Sequence, residues 1–405
     1  MNAGGMSRAL ARQRPRSRGR AGFPKASRIL CLAAFWLAFL MAMAGCGRKE
    51  EPVAIENKGY ICLGVVAPLS GMLRPAGLSL VRGAELAVRA AGGQGGVRGR
   101  PVRLLIEDET QTLRMPEKKR LARDPRVVLV IGHLMERTFA DSRALYLKTD
   151  RPVLLPVLSP ENISQAPKPL FFRLMSSDQD QVRALAAHAV SKLRVRRILA
   201  VHDGSAHGLE QVQTFVEAVG EGSAEVRSLA FAEAGEAFEE FKRQAQAYRP
   251  EAVFTTLGGW QVVALGRFLS GLKPAPALLG GHGLALAEVA GFLARLLPET
   301  FLALPYDPGA ASPAGRKFAE SYRQAHHRAV DWVAVAGYDA ASLALAALAQ
   351  AGDDPQAIAG YLASLNGPSR SFEGLAGGYY FEAGGRGVHP AFVIRLTESV
   401  IRHLP

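Results

Sequence analysis

The sequence predicts an α/β protein built from two lobes of similar plan, each with a parallel sheet covered by helices. Short apolar runs of strand length alternate with longer segments whose apolar residues recur at helical spacing. This pattern is typical of parallel sheets with helices on both faces. The alternation runs through one series of elements and then repeats in a second. A chain of 405 residues is also long for one ordinary domain, so we expect two lobes and not one large sheet.

The first series supplies four predicted strands with helices between them. Its first helix ends at two pairs of glycines, Gly92-Gly93 and Gly95-Gly96, because glycine interrupts a helical pattern. The strands are predicted at residues 60–66, 102–106, 127–131 and 153–155, and the helices at 78–91, 115–122 and 137–148.

The second series has the same alternation and begins with a helix. Its helices are predicted at residues 181–193, 209–219, 238–248, 261–272 and 284–297, and its strands at 198–201, 226–231, 252–257, 277–279 and 301–304. The tail differs, because long helices follow one another there. These are predicted at 314–325, 333–351 and 358–365, with strand-like segments at 379–381 and 391–396.

The first 45 residues predict an export signal. Residues 1–28 hold eight cations and no acid, and residues 29–44 carry no charge, which is the layout of a cleaved signal. This uncharged stretch is short for a membrane-spanning helix, which needs about twenty residues. It ends in Met43-Ala44-Gly45-Cys46, which resembles the lipobox of bacterial lipoproteins and implies cleavage before Cys46 and lipidation of its thiol. The alternative is an uncleaved anchor with an incidental Cys46.

Removal of the signal changes what the charge of the chain implies. The loss of its eight cations lowers the formal net charge from +13 to +5, and the arginines are scattered without interleaved aromatic residues, so we expect no nucleic-acid partner. Cys62 lies inside an apolar run and is predicted to be a buried core residue without a disulfide. The polar residues 47–58 are predicted to tether the folded body to the membrane.

The loops at the carboxyl ends of the predicted strands are the candidate ligand-binding segments, since open α/β sheets bind ligands there. Two sets of strand ends that face each other would line a cleft between the lobes. The segments are 67–71, 132–138 and 156–160 in the first series, and 202–207, 258–260 and 280–283 in the second.

The motifs of the chain disfavour enzyme and metal chemistry. It has no Gly-x-Ser-x-Gly elbow, no phosphate-binding loop with Gly-Lys-Ser/Thr, and no Gly-x-Gly-x-x-Gly directly after the first strand. Asp203, Ser205 and His207 are too close in one short loop to form the usual hydrolase triad. His202, His207 and His282 match no standard zinc spacing. We therefore predict a protein that is not an enzyme, without catalytic residues, metal or cofactor.

Several short segments occur in an order and spacing that resemble the type I periplasmic binding proteins. They include Val-Val-Ala-Pro-Leu-Ser-Gly at 65–71, Gly-Ala-Glu-Leu-Ala at 83–87, Gly-Gly-Val-Arg-Gly at 95–99 and Gly-Tyr-Asp-Ala at 337–340. The similar group is the leucine/isoleucine/valine-binding proteins of branched-chain amino acid ABC importers. The similarity runs from about Tyr60 to about Leu396, nearly the whole mature chain.

The resemblance implies a type I periplasmic binding fold, in which two Rossmann-like lobes with parallel sheets are joined by three crossings and close over a ligand. The first lobe would take residues 58–175 plus 302–370, and the second residues 176–301 plus 371–405. The implied function is an extracytoplasmic solute-binding lipoprotein, a monomer, that delivers a small polar solute to ABC permease subunits. The alternative is a ligand-sensing receptor of the same fold with a regulatory partner.

The resemblance also places ligand-binding positions on this chain. At these positions Ser159 keeps a hydroxyl, whereas Glu136 stands where the family has a hydroxyl and His282 stands where it has an acid that pairs the ligand ammonium. An aromatic residue expected after the first strand is replaced by a small one near Ala76. The predicted ligand-binding residues are Ser70, Glu136, Ser159, His207, Trp260 and His282.

These departures predict that ordinary branched-chain amino acids are not the ligand. A carboxylate at Glu136 would repel a ligand carboxylate in a closed cleft, and an ammonium group would lack its partner at His282. Glu136 would then receive a cation or a hydrogen-bond donor. The alternative is that Glu136 points to solvent or pairs with Arg137.

Overall fold

The computed structural model describes residues 59–114, 120–159, 169–307 and 312–401. The predicted signal, the predicted lipidation site Cys46 and the tether lie outside these residues, as does the part 115–119 of one predicted helix. Within the described residues the chain forms parallel sheets with helices around them, which confirms the predicted α/β class.

The first sheet has five parallel strands. They are β1 (Ile61–Ala67), β2 (Val102–Asp108), β3 (Val127–Gly132), β4 (Val153–Leu155) and β5 (Phe171–Arg173), in the spatial order β2-β1-β3-β4-β5. The helices that follow the first three strands are α1 (Arg74–Gly92), α2 (Glu109–Arg114) and α3 (Glu136–Lys148). Every residue of β1 and β3 is buried, as their unbroken apolar sequences predict for strands covered on both faces.

The second sheet repeats this plan. Its parallel strands are β6 (Arg197–His202), β7 (Glu225–Ala230), β8 (Ala252–Thr255), β9 (Ala277–Gly280) and β10 (Thr300–Leu304), in the order β10-β9-β8-β6-β7. Its helices are α4 (Asp178–His188), α5 (Ala206–Val219), α6 (Gly235–Tyr248), α7 (Gly259–Ser270) and α8 (Ala287–Leu296).

The tail adds elements to both lobes. Helices α9 (Pro313–His326), α10 (Trp332–Ala351) and α11 (Pro355–Ser364) come first. A small antiparallel sheet follows, made of β11 (Phe372–Glu373), β12 (Gly378–Glu382) and β13 (Arg386–Val388). Strand β14 (Phe392–Arg395) then pairs antiparallel with β10 at the edge of the second sheet, before α12 (Glu398–Ile401).

Helices α1 and α10 pack closely in the first lobe. A Cβ atom at Gly83 would lie 2.0 Å from the carbonyl oxygen of Ala334, and one at Gly337 would lie 2.3 Å from that of Leu80. Glycine is therefore required at both positions for the two backbones to approach. By length and composition alone α10 is apolar enough to cross a membrane, but most of it is buried within the protein.

The chain crosses between the two sheets at three places within the described residues: after β5, after β10 and before β14. Leu302 pairs with Gly280 inside the second sheet, so the chain leaves that sheet after Leu304, whereas the expected division placed this boundary at residue 302. The small sheet contacts the first lobe, where the rings of Phe172 and Phe381 lie 5.0 Å apart. Residues 371–388 therefore adjoin the first lobe and not the second, to which the expected division assigned them.

Two further predictions differ from the structure in the first lobe. The short helix after β2 is α2, and residues 121–122, at the end of the segment predicted as a helix, lie in a turn. The strand β5 was not predicted, because only two of its three residues are apolar and so short a run shows no periodicity. The prediction for Cys62 is confirmed, since this free cysteine is 1% exposed within β1.

Candidate functional site

The loop after β1 is fixed by Asp108, the last residue of β2. Its Oδ1 accepts hydrogen bonds from the backbone N–H groups of Leu69 and Thr110, and its Oδ2 accepts one from the Ser70 hydroxyl at 2.9 Å. Burial opposes ionisation of Asp108, but these hydrogen bonds outweigh it and lower its pKa. Ser70 therefore uses its hydroxyl proton to hold the loop.

The loop after β3 is held by Glu109, whose side chain is fully buried. Its carboxylate accepts hydrogen bonds from His133 Nδ1 at 3.0 Å, from the backbone N–H of Leu134 at 2.8 Å and from the Thr138 hydroxyl at 2.5 Å. These bonds fix the start of α3. Glu136 is the first residue of that helix, and its side chain is exposed.

The ends of β4 and β5 meet where the chain enters the second lobe. Ser177 caps α4 in a capping box, because its hydroxyl accepts the backbone N–H of Asp180 and the Asp180 carboxylate accepts the backbone N–H of Ser177. The cap orients the next residue, Asp178, whose backbone N–H donates to Ser159 Oγ at 3.0 Å. Ser159 and Asp178 thus link the two lobes at the cleft.

Asp178 lies between two histidines of the second lobe. Its side chain is 15% exposed, with Oδ2 at 3.4 Å from His207 Nε2 and Oδ1 at 3.8 Å from His282 Nδ1. The side-chain oxygen of Gln181 lies 2.9 Å from the same His282 nitrogen. His207 Nε2 also contacts the side-chain amide of Gln211 at 2.7 Å.

The electrostatics of this group favour an ion pair between Asp178 and His207. Burial opposes ionisation of Asp178, but the hydrogen bond with His207 and the charge of His282 outweigh it and lower its pKa. The hydrogen bond with Asp178 raises the pKa of His207 against the effect of burial, and the charge of Glu136 adds to the rise. Glu136 of the first lobe therefore acts electrostatically on His207 of the second.

Three cavities adjoin one another near the cleft; residues of both lobes line two of them, and residues of the second lobe line the third. The polar cavity has a volume of about 190 Å³, and Asp178, His207 and His282 are among the residues that line it. His282 also lines the neighbouring apolar cavity, which has a volume of about 220 Å³. Both lobes contribute to the apolar cavity, including Leu134 of the first lobe and Trp332 at the start of α10. Through Leu286 the apolar cavity adjoins an outer cavity of about 540 Å³.

The structure brings three of the six predicted ligand-binding residues together: Ser159, His207 and His282 all contact Asp178. Trp260 lines the outer cavity, where it lies across from Met72 of the first lobe. Glu136 is exposed at the start of α3. Ser70 does not line these three cavities, and its hydroxyl is engaged by Asp108.

Three of the residues considered for hydrolysis or metal binding, His202, Asp203 and Ser205, build the turn after β6. Asp203 accepts the backbone N–H of Ser205, and Ser205 in turn caps α5 by accepting the backbone N–H of Gly208. His202 Nδ1 accepts the backbone N–H of Gly204. Across the part of the chain that the structure describes, no group of three or more histidines, cysteines or acids is placed to hold a metal ion.

Sequence reasoning missed two residues of the site, Asp178 and Trp332. Asp178 follows the carboxyl end of β5, so the rule that selected the other loops would have selected it had this short strand been recognised. Trp332 begins a strongly apolar helix and has no local sequence signal that separates it from the core. Its position beside His282, with the ring centroids 6.0 Å apart, depends on the packing of the lobes.

Solved structures that are similar to this chain include solute-binding proteins of ABC transporters. A leucine-binding protein from Thermotoga maritima is 20% identical, with a TM-score of 0.71, and 84% of this chain aligns with 96% of that one. An ABC transporter substrate-binding protein from Desulfitobacterium hafniense in complex with Leu is 19% identical, with a TM-score of 0.72, and 84% of this chain aligns with 98% of that one. A solute-binding protein of R. palustris in complex with benzoate is 21% identical, with a TM-score of 0.67, and 84% of this chain aligns with 94% of that one.

At these identities the likeness shows the fold alone. The sequence profile of the periplasmic binding proteins matches residues 61–399, most of the chain. The chain therefore belongs to the periplasmic binding protein family, which confirms the predicted resemblance. A search of curated protein sequences found no match.

Proposed function

We propose that this chain is an extracytoplasmic solute-binding lipoprotein that captures a small solute between its lobes and delivers it to an ABC importer. The observation that carries the proposal is the apolar cavity, which residues of both lobes line at the carboxyl ends of both sheets. Its mainly apolar lining with a few polar groups is typical of small-molecule sites. The chain acts by binding and release, without turnover.

The related structures support this proposal. They include solute-binding proteins in complex with leucine, isoleucine and benzoate, all of which are small solutes with an apolar body and a polar head. A ligand in the apolar cavity would place its body against Leu134 and Trp332, and a polar head near His282.

Closure of the lobes would complete the site. The Asp178–Ser159 hydrogen bond lies close to the crossing after β5, so it can persist while the lobes rotate about the crossings. Glu136 and His207 belong to opposite lobes, and the charge of Glu136 already favours the protonated form of His207. Closure would strengthen this attraction because it removes water from between the two groups.

Ligand binding and closure can be measured on the compact unit Asn57–Pro405. Thermal unfolding is followed with amino acids, amides, polyamines and aromatic acids, and small-angle X-ray scattering is recorded for each solute that raises the melting temperature. A solute present at a hundredfold excess over its Kd should stabilise the fold by about 2.7 kcal/mol, and its complex should have a smaller radius of gyration. Stabilisation without compaction would contradict capture by closure.

The lipid anchor needs a separate test in cells. The full chain and its Cys46→Ala variant are expressed in a bacterium, and membranes are separated from soluble protein. We expect the unmodified chain in the membrane fraction with incorporated fatty acid, and no incorporation in the variant, because the acyl chains require the thiol. Fatty acid on both proteins would show that Cys46 is not the modified residue.

A further inference from the structure

Met72 and Trp260 are the two most exposed large apolar side chains among the residues that the structure describes. Met72 is 69% exposed in the first lobe, and Trp260 is 56% exposed at the start of α7 in the second. The Trp260 ring lies edge-on to Phe292 of α8, with the ring centroids 5.8 Å apart. Met72 and Trp260 both line the outer cavity, so they meet the same open space from opposite lobes. Burial of the two side chains against each other would remove apolar surface from water, which is favourable.

Two opposite charges are divided between the same two lobes. Arg328 precedes α10 in the first lobe, and Glu288 lies in the first turn of α8 in the second; both are exposed and line the outer cavity. Neither has an ion-pair partner within the described part of the chain. The other acid that lines this cavity, Asp331, is 6% exposed, and its oxygens accept hydrogen bonds from the Ser79 hydroxyl and from the backbone N–H of Ala334. Glu288 is therefore the lining acid that remains available to Arg328.

The two walls of the outer cavity are thus complementary to each other. An apolar side chain is matched by an apolar one, and a cation by an acid, each time from the opposite lobe. A solute that filled this cavity would need an apolar body together with two opposite charges. Rotation of the lobes, in contrast, brings together groups that the chain already has, and paired charges fix the register of the two surfaces.

Resting on the proposed function, we propose that the outer cavity is the closure contact of the two lobes, in which Met72 packs against Trp260 and Arg328 pairs with Glu288. The side chains of the protein then fill this cavity when a solute is captured. The solute is confined to the apolar and polar cavities, and molecules that extend past Leu286 into the outer cavity are excluded.

A cysteine crosslink measures how often the two walls meet, and it needs no known solute. The test uses the unit Asn57–Pro405, which holds every strand and helix that the structure describes, and whose one cysteine, Cys62, is buried. Met72→Cys and Trp260→Cys are combined and treated with 1,2-phenylenebismaleimide, a short reagent that joins neighbouring thiols. We expect the intramolecular link to make the protein more compact, which small-angle X-ray scattering records as a smaller radius of gyration.

A second pair of cysteines is the control for the linking rate. Met72→Cys is combined with Val216→Cys, because Val216 is a 40% exposed apolar residue of α5 in the second lobe that does not line the outer cavity. The pair at 72 and 260 should link at least about tenfold faster than this control, because closure raises the effective concentration of one thiol near the other.

Charge reversal tests the ion pair through the same link. In the protein with cysteines at 72 and 260, Arg328→Glu places two acids across the cavity and should slow the linking about three- to fivefold, the range of an exposed pair. Glu288→Arg should slow it similarly, and the two reversals together should restore most of the rate. Arg89→Glu makes the same charge change at an exposed position of α1 outside the cavity and is the control.

The outcomes separate the closure contact from the proposed function. Equal linking rates for the two cysteine pairs, or a linked protein with an unchanged radius of gyration, would overturn the closure contact. Equal effects of Arg328→Glu and Arg89→Glu, without recovery in the double reversal, would remove the ion pair from it. A solute from the thermal screen that bound and blocked the link would show that the outer cavity takes ligand, and the proposed function would stand without the contact. If no solute of that screen bound, the proposed function would fail, and the linking rates would still decide on the contact.

Discussion

Two acids beside strand ends, the fully buried Glu109 and the largely buried Asp178, differ in how completely the protein satisfies them. Glu109 directly follows β2, and both of its oxygens accept hydrogen bonds from the loop after β3. Asp178 follows β5, and only its Oδ2 is near a donor at hydrogen-bonding range, on His207. Asp178 Oδ1 is buried without a hydrogen-bond partner among the described residues, 3.8 Å from His282 Nδ1, and Asp178 is one of the residues that line the polar cavity.

The difference teaches that burial of an acid does not by itself identify a functional site. A fully satisfied carboxylate such as Glu109 stabilises one loop conformation, because removing it leaves several donors unpaired. An acid with one oxygen that no hydrogen-bond donor satisfies gains less stability from its surroundings, and beside a cavity it can interact with a ligand. Glu109 should therefore be essential for stability, and Asp178 for binding.

Replacement of Glu109 should have the largest effect on stability. Glu109→Ala leaves the N–H groups of His133 and Leu134 and the Thr138 hydroxyl without their acceptor in the core, so we expect a loss of about 3 kcal/mol or more. The measurement is urea denaturation of the compact unit Asn57–Pro405. Glu109→Gln keeps the volume and one acceptor and should lose less.

An exposed acid provides the control for this experiment. Glu236 lies in the first turn of α6 with an exposed side chain, and Glu236→Ala should change the free energy of unfolding by less than about 0.5 kcal/mol. Equal losses in the Glu109 and Glu236 variants would show that the hydrogen bonds of Glu109 do not fix the loop after β3.

Replacement of Asp178 should change the free energy of unfolding little and lower the ligand affinity more. Asp178→Asn keeps the backbone N–H that donates to Ser159 and removes the charge that holds His207, so we expect a change in unfolding free energy of less than about 1 kcal/mol. The affinity for whichever solute the screen identifies should fall by about tenfold, because His207 and His282 lose their common partner.

Calorimetry and urea denaturation on the same Asp178→Asn protein distinguish the two effects. A large loss of stability with unchanged affinity would place Asp178 in the same structural class as Glu109. A loss of affinity at nearly constant stability would support a binding role for Asp178.

The sequence predicted the architecture well where segments were long and periodic. The apolar runs of β1 and β3 and the helical spacing of α1 and α10 predicted their element types with small errors at the ends. The short elements β5 and α2 were missed, whereas β4, which also has three residues, was predicted because all three are apolar. Such lengths are too short for a hydrophobic period to show.

The site could be predicted only in part. Ser159, His207 and His282 lie in loops at strand ends, and the topology rule selects those loops from the order of the predicted strands alone. That the three residues meet at one carboxylate depends on the crossing after β5 and on the angle between the lobes, which local sequence does not encode. The sequence left two alternatives for Glu136, and the structure places its side chain in an exposed position that still acts on His207.

The smallest expected effect is the pH dependence of the pair between His207 and Asp178. The pKa of His207 is raised in the folded protein. Its contribution to folding stability is therefore fully present below about pH 6.5, the pKa of an unfolded histidine, and is lost as the pH rises through the raised pKa. The pKa of Asp178 is lowered in the folded protein. Its contribution to folding stability is therefore present above about pH 3.9, the pKa of an unfolded aspartate, and is lost as the pH falls through the lowered pKa. The stability that the pair adds should therefore be greatest at about pH 5.

Comparison of two histidine variants isolates this effect. The stability advantage of the unmodified protein over His207→Gln should fall as the pH rises from about 5 to about 8, by less than about 1 kcal/mol, because the His207 side chain is 56% exposed. Burial lowers the pKa of His188, with the charge of Lys192 adding to the effect, so the advantage over His188→Gln should instead rise over the same range. Urea denaturation at several pH values measures both slopes, and slopes of the same sign would mean that His207 gains no proton affinity from Asp178 in the folded protein.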